Sequence, residues 1–78
     1  MYVDKDMPGA RPCKIYEEGR AEPIGLVVAI DTDEGYVLEY RKTDGSKIES
    51  VWFKGELHPK VYKRYGKFRI EGYPYGTL

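Results

Sequence analysis

Asp31-Thr32-Asp33-Glu34-Gly35 gathers three carboxylates beside a glycine, the kind of oxygen-rich loop that can hold calcium. The twelve-residue spacing with its closing glutamate is missing, so a solvated hairpin loop is expected, with no metal and no other cofactor. Cys13 and His58 are the sole cysteine and histidine. A thiol–imidazole pair needs direct contact and a third, orienting group. Cys13 lies on the apolar parity of its strand, where a free cysteine behaves as a small hydrophobe. His58 precedes a proline in a connection. Paired carboxylates for acid–base work need a cleft that so small a sheet rarely makes. No catalytic residues are expected, and the chain reads as a non-enzyme.

Binding chemistry has two candidates. The segment from Lys60 to Arg69 interleaves cations with aromatics: Lys60, Lys63, Arg64, Lys67 and Arg69 could neutralise phosphates while Tyr65 stacks on a base. That is the pattern of a single-stranded nucleic-acid binder. The competing reading has Tyr62, Tyr65 and Phe68 plugging an open end of the core, with the charges merely solvated. The second candidate is aromatic: Trp52 with Tyr16, Tyr73 and Tyr75 would anchor a protein partner, with Asp33 and Glu34 steering its approach. Its competitor is a second small core, with the N-terminal arm or the Tyr-Pro-Tyr tail covering Trp52.

Charge decides between them. Thirteen basic and thirteen acidic residues cancel over the chain. Residues 31–57 carry seven acids against four bases, whereas residues 58–78 carry five bases against Glu71 alone. The acidic middle would repel the same backbone that the basic end attracts, so a protein partner is favoured over a nucleic acid. One cysteine cannot form an internal disulfide, and a reducing cytoplasm is expected. No apolar run approaches the roughly 20 residues that span a bilayer, and no membrane partner is expected.

Seventy-eight residues make one small domain with a limited core. Eight tyrosines, nine glycines and five prolines favour short strands and tight turns. Residues 1–11 read as an irregular N-terminal arm, 12–72 as the domain, and 73–78 as an extended tail. Cys13 and Ile15 belong to a first strand; a turn at Gly19-Arg20 sets Ile15 against Ile24 and Cys13 against Leu26. From Ile24 to Phe53 the chain reads as a three-stranded meander. A five-residue loop, Asp31 to Gly35, pairs Ile30 with Tyr36, Val28 with Leu38 and Leu26 with Tyr40. The Thr43-Asp44-Gly45 turn pairs Tyr40 with Ile48. A bulge near Glu49 or Ser50 then brings Val51 and Phe53 into the core and turns Trp52 away from it. Leu57 to Tyr65 is spaced for one helical turn, stopped by Gly66. Lys67 to Glu71 alternates as the closing strand, with Phe68 and Ile70 inward.

Five short strands with a helical turn before the last resemble the SH3-like small barrel, an all-β antiparallel layout spanning Pro12 to Glu71. The tight first turn departs from the peptide-binding members, so their proline-peptide recognition does not carry over. The stretch VVAIDTDEGYVLEYRKTDGS, followed by GKFRI, is also similar to short uncharacterised proteins of tailed bacteriophages and prophages. That resemblance implies an accessory or host-takeover protein in the cytoplasm of a bacterial host. The expected role is a protein-interaction module whose partner is a host or phage protein, with self-association through an exposed edge strand allied to it.

Overall fold

A computed structural model describes residues 1–10 and 13–73. They form eight strands and no helix: β1 (Tyr2–Asp4), β2 (Lys14–Glu17), β3 (Val27–Asp31), β4 (Tyr36–Glu39), β5 (Ser50–Phe53), β6 (Glu56–Pro59), β7 (Tyr62–Tyr65) and β8 (Phe68–Glu71). The all-β expectation holds, but the five-stranded barrel does not. The strands divide into a four-stranded sheet, β1-β3-β4-β7, and two ribbons, β2-β8 and β5-β6, all antiparallel. None closes on itself.

The core lies between one face of the four-stranded sheet and the β2-β8 ribbon. Directly opposed residues of antiparallel strands point to the same face. Val3, Ile30, Val37 and Arg64 therefore form one row across the sheet. The first three are buried, and Ile70 of β8 packs against them. Ile15, Ile24, Val27 and Phe68 are among the half-buried apolar residues packed against them. At the sheet edge the row ends in Arg64, whose Nε donates to Glu39 Oε1 and whose Nη1 donates to Glu17 Oε2, each at 2.9 Å. One guanidinium thus clasps β7 to β4 and to the facing ribbon.

Residues 2–4, expected within an irregular arm, are a strand. Val3 pairs with Ile30 and is only 3% exposed. The Val3 methyls fill the row beside Ile30, which a sequence of acids and prolines around them conceals. The pairing of Ile15 with Ile24 is present, sealed by the Ile24 N–H donating to the Ile15 carbonyl at 2.8 Å. Beyond it the register differs. Leu26 adopts a positive φ of 61° and is exposed, so the even-numbered alternation breaks there. The bend has a purpose in the topology: Ile24 pairs with the ribbon, Val27 with the sheet, and the chain must cross between them.

The β3–β4 loop holds four residues, not five. Asp31 opposes Tyr36, and Ile30 opposes Val37. Asp31 tightens the loop by accepting the Asp33 and Glu34 N–H groups on Oδ1, both at 3.0 Å, and these bonds, Glu34 first, hold its carboxyl below the ordinary range. A bulge between Val27 and Ala29 then restores the apolar face that a four-residue loop would otherwise misplace. The later hairpin is also shifted: Lys42, not Tyr40, opposes Ile48, and Ser46 takes a φ of 60° in its turn. The helical turn expected over Leu57 to Tyr65 is replaced by β6 and β7, because β4 offers an open edge on which Tyr62 to Tyr65 pair.

Gly35 closes the β3–β4 loop at φ 77°, and a β-carbon there would meet the Gly66 carbonyl oxygen at 3.1 Å. Gly35→Ala should cost about 1–2 kcal/mol from the left-handed backbone alone. A chemical-denaturation midpoint unchanged by that substitution would contradict this loop geometry.

Candidate functional site

The β5-β6 ribbon is the unusual part of the molecule. Lys54 and Gly55 carry φ angles of 51° and 79°, the paired positive values of the tight two-residue turn that suits strand twist. Ser50 opposes Pro59, Val51 opposes His58, Trp52 opposes Leu57 and Phe53 opposes Glu56. One face of the ribbon presents Trp52, Leu57, Ser50 and Pro59; the other presents Val51, Phe53, His58 and Glu56. Phe53 and His58 meet edge-to-face with ring centres 6.2 Å apart.

Both faces are open to solvent. Trp52 is 74% exposed, Phe53 60%, Leu57 58% and Val51 44%. The expectation that Trp52 points away from the core agrees with this. The companion expectation, that Val51 and Phe53 enter the core, is overturned. No bulge turns them inward, because β5 leaves the main sheet and, among the described residues, takes β6 as its only strand partner. Three apolar residues in succession, Val51-Trp52-Phe53, put hydrophobic groups on both faces of any regular strand. That run was the sequence signal for Val51 and Phe53 as surface residues; Leu57 had none.

The other residues expected at a protein-binding patch are dispersed. Tyr16 sits on β2 with the Arg69 guanidinium 4.5 Å from its ring centre. Tyr73 packs against the core cluster. Asp33 and Glu34 occupy the β3–β4 loop, where their N–H groups bond to Asp31. Tyr75 lies outside the described residues. No hydrogen bond or ring contact joins Trp52 to Tyr16, Tyr73, Asp33 or Glu34 among the described residues. The N-terminal segment runs along β3 rather than over Trp52.

The basic segment is internally committed. Lys60 pairs with Glu49 at 3.7 Å, Arg64 with Glu17 and Glu39, Lys67 with Glu18 at 3.8 Å, and Arg69 with Glu71 at 3.8 Å. Lys63 is the exception among these five within the described residues, and its ammonium rests 4.1 Å from the Tyr36 ring centre and 5.2 Å from that of Tyr65. Tyr65 itself is 68% exposed, edge-to-face with Tyr36. Four of the five cations thus have a carboxylate within 4 Å, with which a phosphate would compete.

Cys13 and His58 stand on different elements. The Cys13 thiol donates to the Gly9 carbonyl at 3.1 Å, and burial pushes its pKa up, away from the reactive thiolate. His58 is on the ribbon beside Glu56, 3.6 Å away. Among the described residues no group of His, Cys, Asp and Glu side chains is placed to hold a metal ion, and no helix is long and apolar enough to cross a membrane. A cleft of about 660 Å³ opens beside Ala10, Cys13, Ile24 and Leu26, but its floor is the core itself, Val3, Ile30 and Ile70. No family model, curated protein or solved structure matches the chain.

Proposed function

We propose that the chain is a non-catalytic protein-interaction module that docks through the β5-β6 ribbon. One observation carries this reading: Trp52, Phe53 and Leu57 stand together on a two-stranded ribbon whose two faces both carry exposed apolar side chains. An isolated ribbon of this size is marginal in water, and a partner that covers it supplies the missing burial. Tryptophan dominates such contacts because it brings a large rigid area and a single N–H donor. Trp52 and Leu57, opposed on one face, are the anchors. Phe53 and Val51 serve the other face, as they would if the ribbon enters a cleft. The acidic loop at Asp33 and Glu34 steers approach rather than touching the anchors. The setting proposed is the cytoplasm of a bacterial host, with the chain a phage accessory or host-takeover protein acting on a host or phage protein. The nucleic-acid reading is the second one, and it is less favoured because four of the five cations in the basic segment have a carboxylate partner within the chain.

The test is capture from the native cell with a photo-crosslinkable aromatic residue in place of Trp52, against the double variant Trp52→Ala, Leu57→Ala as control. A single protein should crosslink at position 52, and the variant should bind it about 30-fold more weakly or worse, as loss of a tryptophan anchor implies. Undiminished binding by the double variant would overturn the ribbon as the docking element.

A further inference from the structure

The chain enters and leaves the β5-β6 ribbon through Glu49 and Lys60, and these two residues are bonded to each other. The Lys60 N–H donates to the Glu49 carbonyl at 2.8 Å, while the Glu49 N–H donates to the Arg41 carbonyl at 2.7 Å. In a regular antiparallel ladder both backbone groups of a bonded residue serve one neighbouring strand. Glu49 serves two, so the chain changes partner there. Before it, Ile48 bridges Lys42; after it, Ser50 to Phe53 pair with β6. Among the described residues no strand pairing, ion pair or side-chain hydrogen bond ties residues 51–59 to the rest of the molecule, and none of them belongs to the core cluster.

A ribbon with so few buried contacts swings about its base unless a side chain there fixes its angle. The Glu49 carboxylate is placed to do so. Its Oε1 accepts the Tyr62 hydroxyl at 2.7 Å, a charge-assisted bond, and lies 3.7 Å from the Lys60 ammonium. Tyr62 opposes Glu39 in the four-stranded sheet, so its hydroxyl is carried by the part of the molecule that does not move with the ribbon. Two cations rest on the Tyr62 ring, the Arg41 guanidinium 4.0 Å and the Lys60 ammonium 4.9 Å from its centre. Three chain segments therefore meet at the ribbon base, around one carboxylate and one ring.

Resting on the reading of the ribbon as a docking element, we propose that Glu49 is its positioning residue: the carboxylate grips Tyr62 and Lys60 and fixes the angle of the ribbon to the sheet before a partner arrives. Trp52 and Leu57 are then presented already ordered, and binding does not lose the free energy of ordering a swinging ribbon. The device depends on an acceptor at this position. Glutamine keeps one for the Tyr62 hydroxyl, whereas alanine leaves that hydroxyl without its partner. Glu49 is more than one-third exposed and lies outside the Val3–Ile30–Val37 row, so its loss bears on the ribbon and not on the core.

Backbone nitrogen relaxation on the free chain tests this, with residual dipolar couplings reporting slower swings. In the wild type the amides of the ribbon should be as ordered as those of β3 and β4, with order parameters of about 0.85. Glu49→Ala should take the ribbon below about 0.6 and shrink its couplings while β3 and β4 keep theirs. Tyr62→Phe, which keeps the ring and loses the hydroxyl, should loosen the ribbon in part, and Glu49→Gln should restore most of the order. Thermal melts of all three should stay close to wild type. Against the protein crosslinked at position 52, Glu49→Ala should bind about tenfold more weakly and Glu49→Gln nearly as wild type. A ribbon already mobile in the wild type, or equally ordered in Glu49→Ala, overturns the proposal. So does a Glu49→Ala chain whose sheet loosens and melts early along with the ribbon, since the residue would then hold the whole fold. Order that falls with binding unchanged overturns the positioning role. If no protein crosslinks at position 52, the docking reading fails, while the order parameters of the free chain still decide whether Glu49 sets the angle.

Discussion

Ile30→Ala should destabilise the domain by about 2–5 kcal/mol, the range for truncating a buried isoleucine that cannot be replaced by collapse around it. Ile30 is 1% exposed and stands between Val3 and Val37 in the row that faces Ile70. A domain of this length holds roughly 4–12 kcal/mol in total, so this one side chain removes a large share or all of it. Leu38→Ala is the matched comparison. Leu38 opposes Ala29 on the other face of the same sheet and is half-buried, so its loss should cost clearly less. Urea unfolding of the two variants decides the point: equal midpoints would mean that the core lies on neither face as described.

Arg64→Met should be the most damaging change of a charged residue. The methionine keeps an apolar stem but removes the guanidinium that lies over Phe68, and it leaves Glu39 without its cation and Glu17 with Arg20 alone, 3.6 Å away. Arg64 is about one-third exposed, between the surface pair whose loss is nearly neutral and the buried pair whose breakage costs several kcal/mol. A loss of about 1–3 kcal/mol follows. Adding Glu17→Gln and Glu39→Gln to Arg64→Met should recover most of it, since neither carboxylate charge is then left there. Lys63→Met, one residue earlier on the opposite face, should change stability little, because Lys63 rests on tyrosine rings rather than in an ion pair. If Arg64→Met and Lys63→Met behave alike, the clasp between the sheet and the ribbon is not a stabilising element.

Period-two alternation made β3, β4 and β8 readable in the sequence, and the Ile15–Ile24 pairing followed from a turn count. What the sequence concealed were the places where the chain changes partner. At Leu26 it passes from the β2-β8 ribbon to the main sheet, and a leucine gives no warning of a positive φ. The β3–β4 loop length looked fixed by keeping Ile30, Tyr36 and Leu38 on one face. A four-residue loop instead sets Ile30 opposite Val37, and a bulge at Val28 keeps Val27 on that same face; bulges leave no mark in a single sequence. Arg64 looked like part of a cationic patch because its partners, Glu17 and Glu39, are 47 and 25 residues away. The ribbon was missed for a related reason. Val51-Trp52-Phe53 breaks alternation, and a bulge that returned two of the three to the core seemed the smaller departure. The exposure of all three follows from the departure of β5 from the main sheet, which a single sequence does not mark.

The sole tryptophan makes the central claim directly measurable. In dilute solution, fluorescence of Trp52 should lie at the long-wavelength position of an indole in water and be quenched freely by acrylamide. It should move to shorter wavelength and lose that quenching when a partner is added. Short-wavelength emission, shielded from quencher in dilute solution, would mean that the chain covers Trp52 itself, and the ribbon would then be no docking element.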